Sequence, residues 1–246
     1  MLRAVLFDLD DTLFDHRICA TTALSDLHAA YEEFQGSPFA DFERLHASFL
    51  EELHKRVMTG ELPLEEARQE RFRRLFAALG AAPEQEVIVE AAATYRDGYR
   101  RIRQAIPGAA ALLAAVKERA RVGIVSNNLL EEQQDKLRHC QLDAYIDVLV
   151  VSEEAGVSKP DPRIFEIALE RLGCRADEVV MIGDSWTADV AGARAAGIRP
   201  IWFNPLRQPR PDMDVEVTEL YALEPIEDVL RVIFPKALPP KGGSHD

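Results

Sequence analysis

Five short apolar runs, each closed by a polar residue, constrain this chain more than any other feature. Leu2–Phe7 ends at Asp8, Val122–Val125 at Ser126-Asn127, Val148–Val151 at Ser152, Val179–Ile182 at Gly183-Asp184, and Pro200–Phe203 at Asn204. Runs this short, without polar alternation, suit strands buried on both faces. Helical patterns separate them. In Pro162 to Gly173, residues Ile164, Phe165, Ala168, Leu169 and Leu172 share one face, with proline at the start and glycine at the stop. Ala109 to Arg119 and Leu129 to Arg138 read the same way. Strand and helix in alternation imply an α/β fold: a Rossmann-like parallel sheet of five main strands with helices on both faces.

Residues 16–104 break the alternation. They hold no strand-like run, are rich in Ala, Leu, Glu and Arg, and space apolar residues helically, as in Leu45, Phe49 and Leu53. Gly and Pro near 36–38, 60–63 and 80–83 divide them into about four helices. The expected organisation is an α/β core from 1–15 and 105–234, a helical insertion at 16–104, and a flexible Pro- and Gly-rich tail at 235–246.

Charge narrows the partners. Twenty-nine Lys and Arg against 42 Asp and Glu give a net charge of −13. A field of that sign repels nucleic acid and acidic membranes, so neither is an expected partner. An anionic substrate needs a local positive site. No apolar run is long enough to span a membrane and the N-terminus does not read as a signal peptide. The three cysteines, Cys19, Cys140 and Cys174, form no disulfide framework. The expected location is the cytoplasm, as a monomer or homodimer.

In open parallel sheets, ligands bind beyond the carboxyl ends of the strands, near the switch in strand order. Asp8, Ser126-Asn127, Ser152, Asp184 and Asn204 occupy such ends. A lone terminal Asp is usually a cap or turn residue. Asp8 and Asp184, together with Asp10 and Asp11, are a carboxylate cluster, and crowded carboxylates share a proton or hold a cation. Carboxylates plus phosphate are an ordinary Mg²⁺ environment. Lys159, fixed between Ser158 and two prolines just before a helix, is a candidate phosphate-binding cation.

These residues carry a resemblance. Phe7-Asp8-Leu9-Asp10-Asp11-Thr12-Leu13 resembles the D-x-D-x-T motif of the haloacid dehalogenase-like hydrolases. Val125-Ser126-Asn127, Lys159-Pro160-Asp161-Pro162 and Gly183-Asp184-Ser185-Trp186-Thr187-Ala188-Asp189 resemble that family's second, third and fourth motifs. All four stand in order, across residues 3 to about 233. The stretch 16–104 falls where the family places its C1 cap, and the leading motif, cap length and Trp202-Phe203-Asn204-Pro205 look most like its nucleotidase branch, with acyl-sugar-phosphate phosphatases close by.

The resemblance implies a phosphatase of small phosphate monoesters, nucleoside monophosphates or sugar phosphates, working through an aspartyl-phosphate. It implies that Asp8 is the nucleophile and Asp10 the general acid and base. Mg²⁺ is implied on Asp8, the Asp10 main-chain carbonyl and Asp184. Ser126 and the Asn127 N–H are implied to bind phosphate oxygens, Lys159 to offset transition-state charge, and Asp189 to hold Lys159 or a metal-bound water. The cap implies a small metabolite as partner. Alternatives in the same superfamily are a 2-haloacid dehalogenase, against which Asp10 argues, and a phosphosugar mutase. A non-enzymatic alternative is a phosphorylatable regulatory domain.

Other residues carry plainer expectations. Asp11 suits a turn, Thr12 a bond to local backbone, and Asp161 a helix N-terminus. Trp186 and Trp202 suit packing. His16, His28, His46, His54 and His139 lack metal-site spacing and are expected at surface or half-buried positions. Arg68, Arg71, Arg73 and Arg74 read as a solvated helix face, with Glu70 pairing Arg74 at i,i+4.

Overall fold

All four residues of the first strand, Ala4–Phe7, are buried, as the unbroken apolar run requires. The computed structural model describes residues 1–235; the tail expected to be flexible lies, beyond Pro235, outside the described residues. From β1 (Ala4–Phe7) the chain enters α1 (His16–Ala30), α2 (Glu32–Gln35), α3 (Phe39–Met58), α4 (Leu64–Ala78) and α5 (Gln85–Ile102). It then runs through α6 (Ala109–Lys117), β2 (Arg121–Ser126), α7 (Leu130–His139), β3 (Val148–Val151), α8 (Ser152–Ala155) and α9 (Pro162–Leu172). The last elements are β4 (Val179–Gly183), α10 (Gly192–Ala195), β5 (Arg199–Phe203), β6 (Thr218–Leu220) and α11 (Ile226–Ile233).

The chain forms two compact units. One comprises Met1–Leu13, Ala105–Asn127 and the chain from Gln141 onward; the other comprises Phe14–Gln104 and Asn128–Cys140. The helical unit therefore takes in α7, which the sequence reading placed with the core. Arg103 shows why: its guanidinium pairs with Asp135 of α7 at 2.6 Å.

In the α/β unit, six parallel strands lie in the order β3-β2-β1-β4-β5-β6. The sequence reading expected five main strands. The sixth, Thr-Glu-Leu, buries only Leu220 and carries no apolar run, so periodicity could not reveal it. Ala4 and Leu6 pack with Ile164, Phe165, Ala168 and Leu172 of α9. Alternation turns Val5 and Phe7, equally buried, to the opposite face. α6 lies against β2, and α11 lies against α6. Asp161 caps α9 by accepting the Arg163 N–H at 2.9 Å, and Gly173 ends it in the left-handed region.

In the helical unit, aromatic rings make the core: Phe34 stacks at 4.4 Å from Phe76 and 4.8 Å from Phe42. Four long helices fall between the Gly- and Pro-bearing breaks, as expected, with the single-turn α2 added. Among the described residues no helix is long and apolar enough to cross a membrane, and the three cysteines are free thiols.

Candidate active site

The strand order reverses between β1 and β4, since β2 and β3 extend the sheet on one side and β5 and β6 on the other. Their carboxyl ends therefore flank the crevice where a ligand is favoured. Asp8 follows β1 and Asp184 follows β4; the pairing of Phe7 with Ile182, continued by the Asp8 N–H donating to the Ile182 carbonyl at 2.9 Å, fixes both at one level. Past Asp8 the chain leaves the strand and turns. The Leu13 N–H donates to the Leu9 carbonyl at 2.9 Å, and Asp11 sits at φ 61°, the turn role expected of it.

A buried cation organises the carboxylates. The Lys159 ammonium donates to Asp8 Oδ1 at 2.5 Å and to Asp189 Oδ1 at 2.6 Å, with only 3% of its side chain exposed. Asn127 holds that lysine in place: its Nδ2 donates to the Lys159 carbonyl at 2.9 Å, and its Oδ1 accepts the Lys159 N–H at 2.7 Å. The sequence reading gave Asn127 only a main-chain role, so this clamp is a finding of the structure. Asp189 is reached by a wide, π-type helical turn, Trp186–Ala191. Ser185 Oγ starts it by accepting the Ala188 N–H, and the Ser185 N–H donates to Asp189 Oδ2 at 3.0 Å. Gly183 leaves room for that carboxylate: a Cβ there would meet Asp189 Cγ at 2.3 Å.

Carboxylate oxygens of Asp8, Asp184 and Asp189 all lie within 4.8 Å of one another and could hold a metal ion. The expected ligand set differed, with the Asp10 carbonyl in place of Asp189. Both Asp189 oxygens are already engaged by Lys159 and the Ser185 N–H, which leaves Asp8 and Asp184 as the carboxylates better placed to face an ion. Asp10, half-buried in the turn after Asp8, stands outside this side-chain cluster. Ser126, buried at the end of β2, stands two residues beyond the Ile124 that pairs Phe7.

The charges do not balance. Three carboxylates share one ammonium, a formal surplus of −2 in a low-dielectric site. Burial drives the Asp8 carboxyl well above the usual range, with Asp189 and Asp184 adding to the rise and Lys159 opposing it. Burial, then Asp189 and Asp11, push Asp184 up to about 7. Burial works against the Lys159 charge, but Asp189 and Asp8 outweigh it and hold that ammonium above the ordinary lysine range. A divalent cation on oxygen donors offsets such a surplus, and this donor set is of the hard kind that suits Mg²⁺.

Two residues read as local or packing groups tie the site together. Thr12 Oγ1 accepts the Asp184 N–H at 3.1 Å, joining the first motif to the fourth. Trp202 Nε1–H donates to the Asp184 carbonyl at 2.8 Å, and Trp186 packs edge-on against it at 5.0 Å. The Thr of D-x-D-x-T was the available signal for Thr12; Trp202 was marked only by the Trp-Phe-Asn-Pro run of the resemblance, and its bond to Asp184 by nothing local. Asn204, a strand-end candidate, is structural: it accepts the Gln208 N–H and donates to the Gln208 carbonyl and to Glu219. Ser152 is buried at the start of α8.

Comparison with known proteins gives consistent likenesses. The family model for haloacid dehalogenase-like hydrolases matches residues 2–197. The pyrimidine 5'-nucleotidase YjjG of Escherichia coli is 30% identical over 92% of this chain and 96% of its own. A glyceraldehyde 3-phosphate phosphatase of Methanopyrus kandleri is 30% identical over 94% of this chain and 98% of its own. The crystal structure of the HAD-hydrolase YfnB of Bacillus subtilis bound to magnesium superposes with a TM-score of 0.71 at 28% identity, covering 93% of this chain and 98% of that one.

Proposed function

Because this chain belongs to the haloacid dehalogenase-like hydrolase family, we propose that it is a Mg²⁺-dependent phosphatase that hydrolyses small phosphate monoesters through an aspartyl-phosphate on Asp8. The observation that carries this reading is the buried Lys159 ammonium held between Asp8 and Asp189 with Asp184 alongside, at the crevice between β1 and β4. Relatives named as a pyrimidine 5'-nucleotidase and as a glyceraldehyde 3-phosphate phosphatase support the phosphomonoesterase class.

The chemistry follows from these residues. An ionised Asp8 oxygen attacks phosphorus, and the bond from phosphorus to the ester oxygen breaks. Asp10 gives its proton to the leaving oxygen. It then takes a proton from the water that attacks the phosphoryl group, and the bond from Asp8 to phosphorus breaks as phosphate leaves. Lys159 opposes the burial that disfavours an ionised Asp8, the bound cation would add to that effect, and the ammonium meets the charge that develops on the phosphoryl oxygens. Ser126 and the Asn127 N–H bind those oxygens, and Asp189 keeps the Lys159 ammonium aimed. Asp8, Asp184 and the Asp10 carbonyl would hold Mg²⁺, which when bound offsets the surplus negative charge and orients the phosphoryl group. The α/β unit supplies all of these groups; the helical unit would act as the cap that selects the leaving group. The substrates would be small phosphorylated metabolites, nucleoside monophosphates or sugar phosphates, for which Lys159 supplies the local positive site that a net charge of −13 makes necessary; a cytoplasmic location fits the three free thiols.

The test is phosphate release from p-nitrophenyl phosphate and a panel of nucleotides and sugar phosphates, with Mg²⁺ and with EDTA. Release that requires Mg²⁺ supports the reading, and the ranking of the panel identifies the substrate class. Halide release from 2-haloacids without metal, and no phosphate release, would assign the site to dehalogenation instead.

A further inference from the structure

The basic run on α4 forms the solvated face expected of it, the Glu70–Arg74 pair included, except at Arg71. Arg68 pairs with Glu65 and with Glu132, Arg73 with Glu70 at 2.5 Å, and Arg74 with Glu70 and Glu52 at 2.9 and 2.8 Å. Arg71 has no such partner among the described residues. It is 8% exposed, makes no ion pair, and buries its Nε with no hydrogen-bond acceptor. Its guanidinium lies over the rings of Phe72 and Tyr95, 5.3 and 5.1 Å from their centres. His46 of α3, expected at the surface or half-buried, is instead 2% exposed and packs 5.0 Å from the same Tyr95 ring; its Nε2 is also buried without a partner.

A guanidinium keeps its proton at any physiological pH, so the helical unit retains a buried cation. Cation–π contact returns less than the cost of removing an ion from water. Buried ions are ordinarily paired, and truly orphaned buried donors are rare. Here two nitrogen groups from different helices converge on one aromatic wall, and no acceptor answers them. The Arg71 Nε–H is a donor in every state, and the neutral His46 ring is one when its proton sits on Nε2; in that tautomer the pair is the donor half of an anion site. We propose that Arg71 and His46 form a subsite within the helical unit that binds an oxyanion, the carboxylate or phosphate group of a small ligand. The planar fork of Arg71 suits two oxygens of one group, and the Phe72 and Tyr95 rings keep the contact dry. His46 stays neutral there, because burial and then Arg71 push its pKa well down, so it offers a hydrogen bond rather than a second charge. The subsite stands on the helical unit's own residues and does not depend on the phosphatase reading.

The test uses the full chain with labelled histidine, in EDTA, and follows the His46 ring signals by NMR during titration with inorganic phosphate and, separately, with malonate. A saturable shift is expected with at least one anion; which one names the source of the oxyanion. Arg71→Met should weaken that binding about tenfold or more, the loss typical of a charged hydrogen bond. Without anion it should melt above the wild type, because it removes an unpaired buried ion. Arg71→Lys, which keeps a cation but loses the fork, is a second arm and should bind more weakly than the wild type. No shift of His46 with either anion overturns the proposal, as does binding unchanged in both variants. An Arg71→Met chain that melts lower than the wild type marks the guanidinium as structural and overturns it too. Phosphate release at Asp8 is read separately, so either result stands whatever becomes of the other.

Discussion

Lys159→Met isolates the electrostatic core of the site. The substitution keeps much of the apolar stem and deletes the ammonium that sits 2.5 Å from Asp8 and 2.6 Å from Asp189. Three carboxylates within 4.8 Å of one another are then left without a countercharge among the described residues. Removing one partner of a buried ion pair costs about 3–5 kcal/mol. For a chain of this size each kcal/mol moves Tm by roughly 2–4 °C, so a drop on the order of 6–20 °C is expected in EDTA. The sign with pH follows from the carboxyls that burial raises, Asp8 and Asp184, the latter up to about 7. A raised carboxyl favours folding while it is protonated, and that contribution is lost as pH rises through its folded pKa. Without the ammonium the gap to wild type should therefore widen from about pH 5 to about pH 8. Turnover should fall about 10²–10³-fold, as for loss of one group that stabilises transition-state charge. Lys159→Met/Asp189→Asn should recover part of the lost stability, because one orphaned charge goes with its partner. Thermal melts across pH with steady-state kinetics read all of this. A Lys159→Met chain that melts with the wild type at every pH and keeps its turnover would refute the reasoning.

Three further outcomes are expected. Gly183→Ala places a Cβ 2.3 Å from Asp189 Cγ, so Asp189 must move and release Lys159; turnover should fall about tenfold or more with a smaller change in KM, measured by steady-state kinetics. Asp184→Asn removes one carboxylate facing the proposed ion, and the Mg²⁺ needed for half-maximal activity should rise by about 10–100-fold or more, read from a metal titration. His46 is held neutral by burial, then by Arg71, with His16 adding to the effect and the Tyr95 ring packed against it. Its folded pKa lies below the unfolded value of about 6.5, so stability is lost as pH falls below that value. His46→Leu should remove that loss from the pH dependence of urea unfolding.

The legible parts of the sequence were those with a local physical signature. β3 falls on Val148–Val151 as read, and β1, β2, β4 and β5 differ from their apolar runs by one or two residues at an end. Pro162 and Gly173 bracket α9, because φ restriction and the left-handed cap act within a few residues. Asp8 and Asp184 could be named because each ends an apolar run; Asp189 could be named only through the resemblance of 183–189 to the family's fourth motif. What escaped depends on residues far apart. β6 exists only because β5 offers it an edge. Asn127 reaches Lys159 across 32 residues, and Thr12 reaches Asp184 across 172. Arg71 follows the helical period of a solvated basic stripe, yet its guanidinium lies over the rings of Phe72 and Tyr95, and His46 packs on the same Tyr95; Tyr95 and His46 belong to other helices, so the local period could not show them.

The central claim is that Asp8 carries the phosphoryl group. The direct measurement is rapid acid quench during turnover of p-nitrophenyl phosphate with Mg²⁺, followed by mass-spectrometric mapping of the peptides. A phosphoryl adduct on Asp8 in the wild type is expected, with neither adduct nor phosphate release from a folded Asp8→Asn chain. Undiminished phosphate release by Asp8→Asn, or an adduct on another residue, would contradict it.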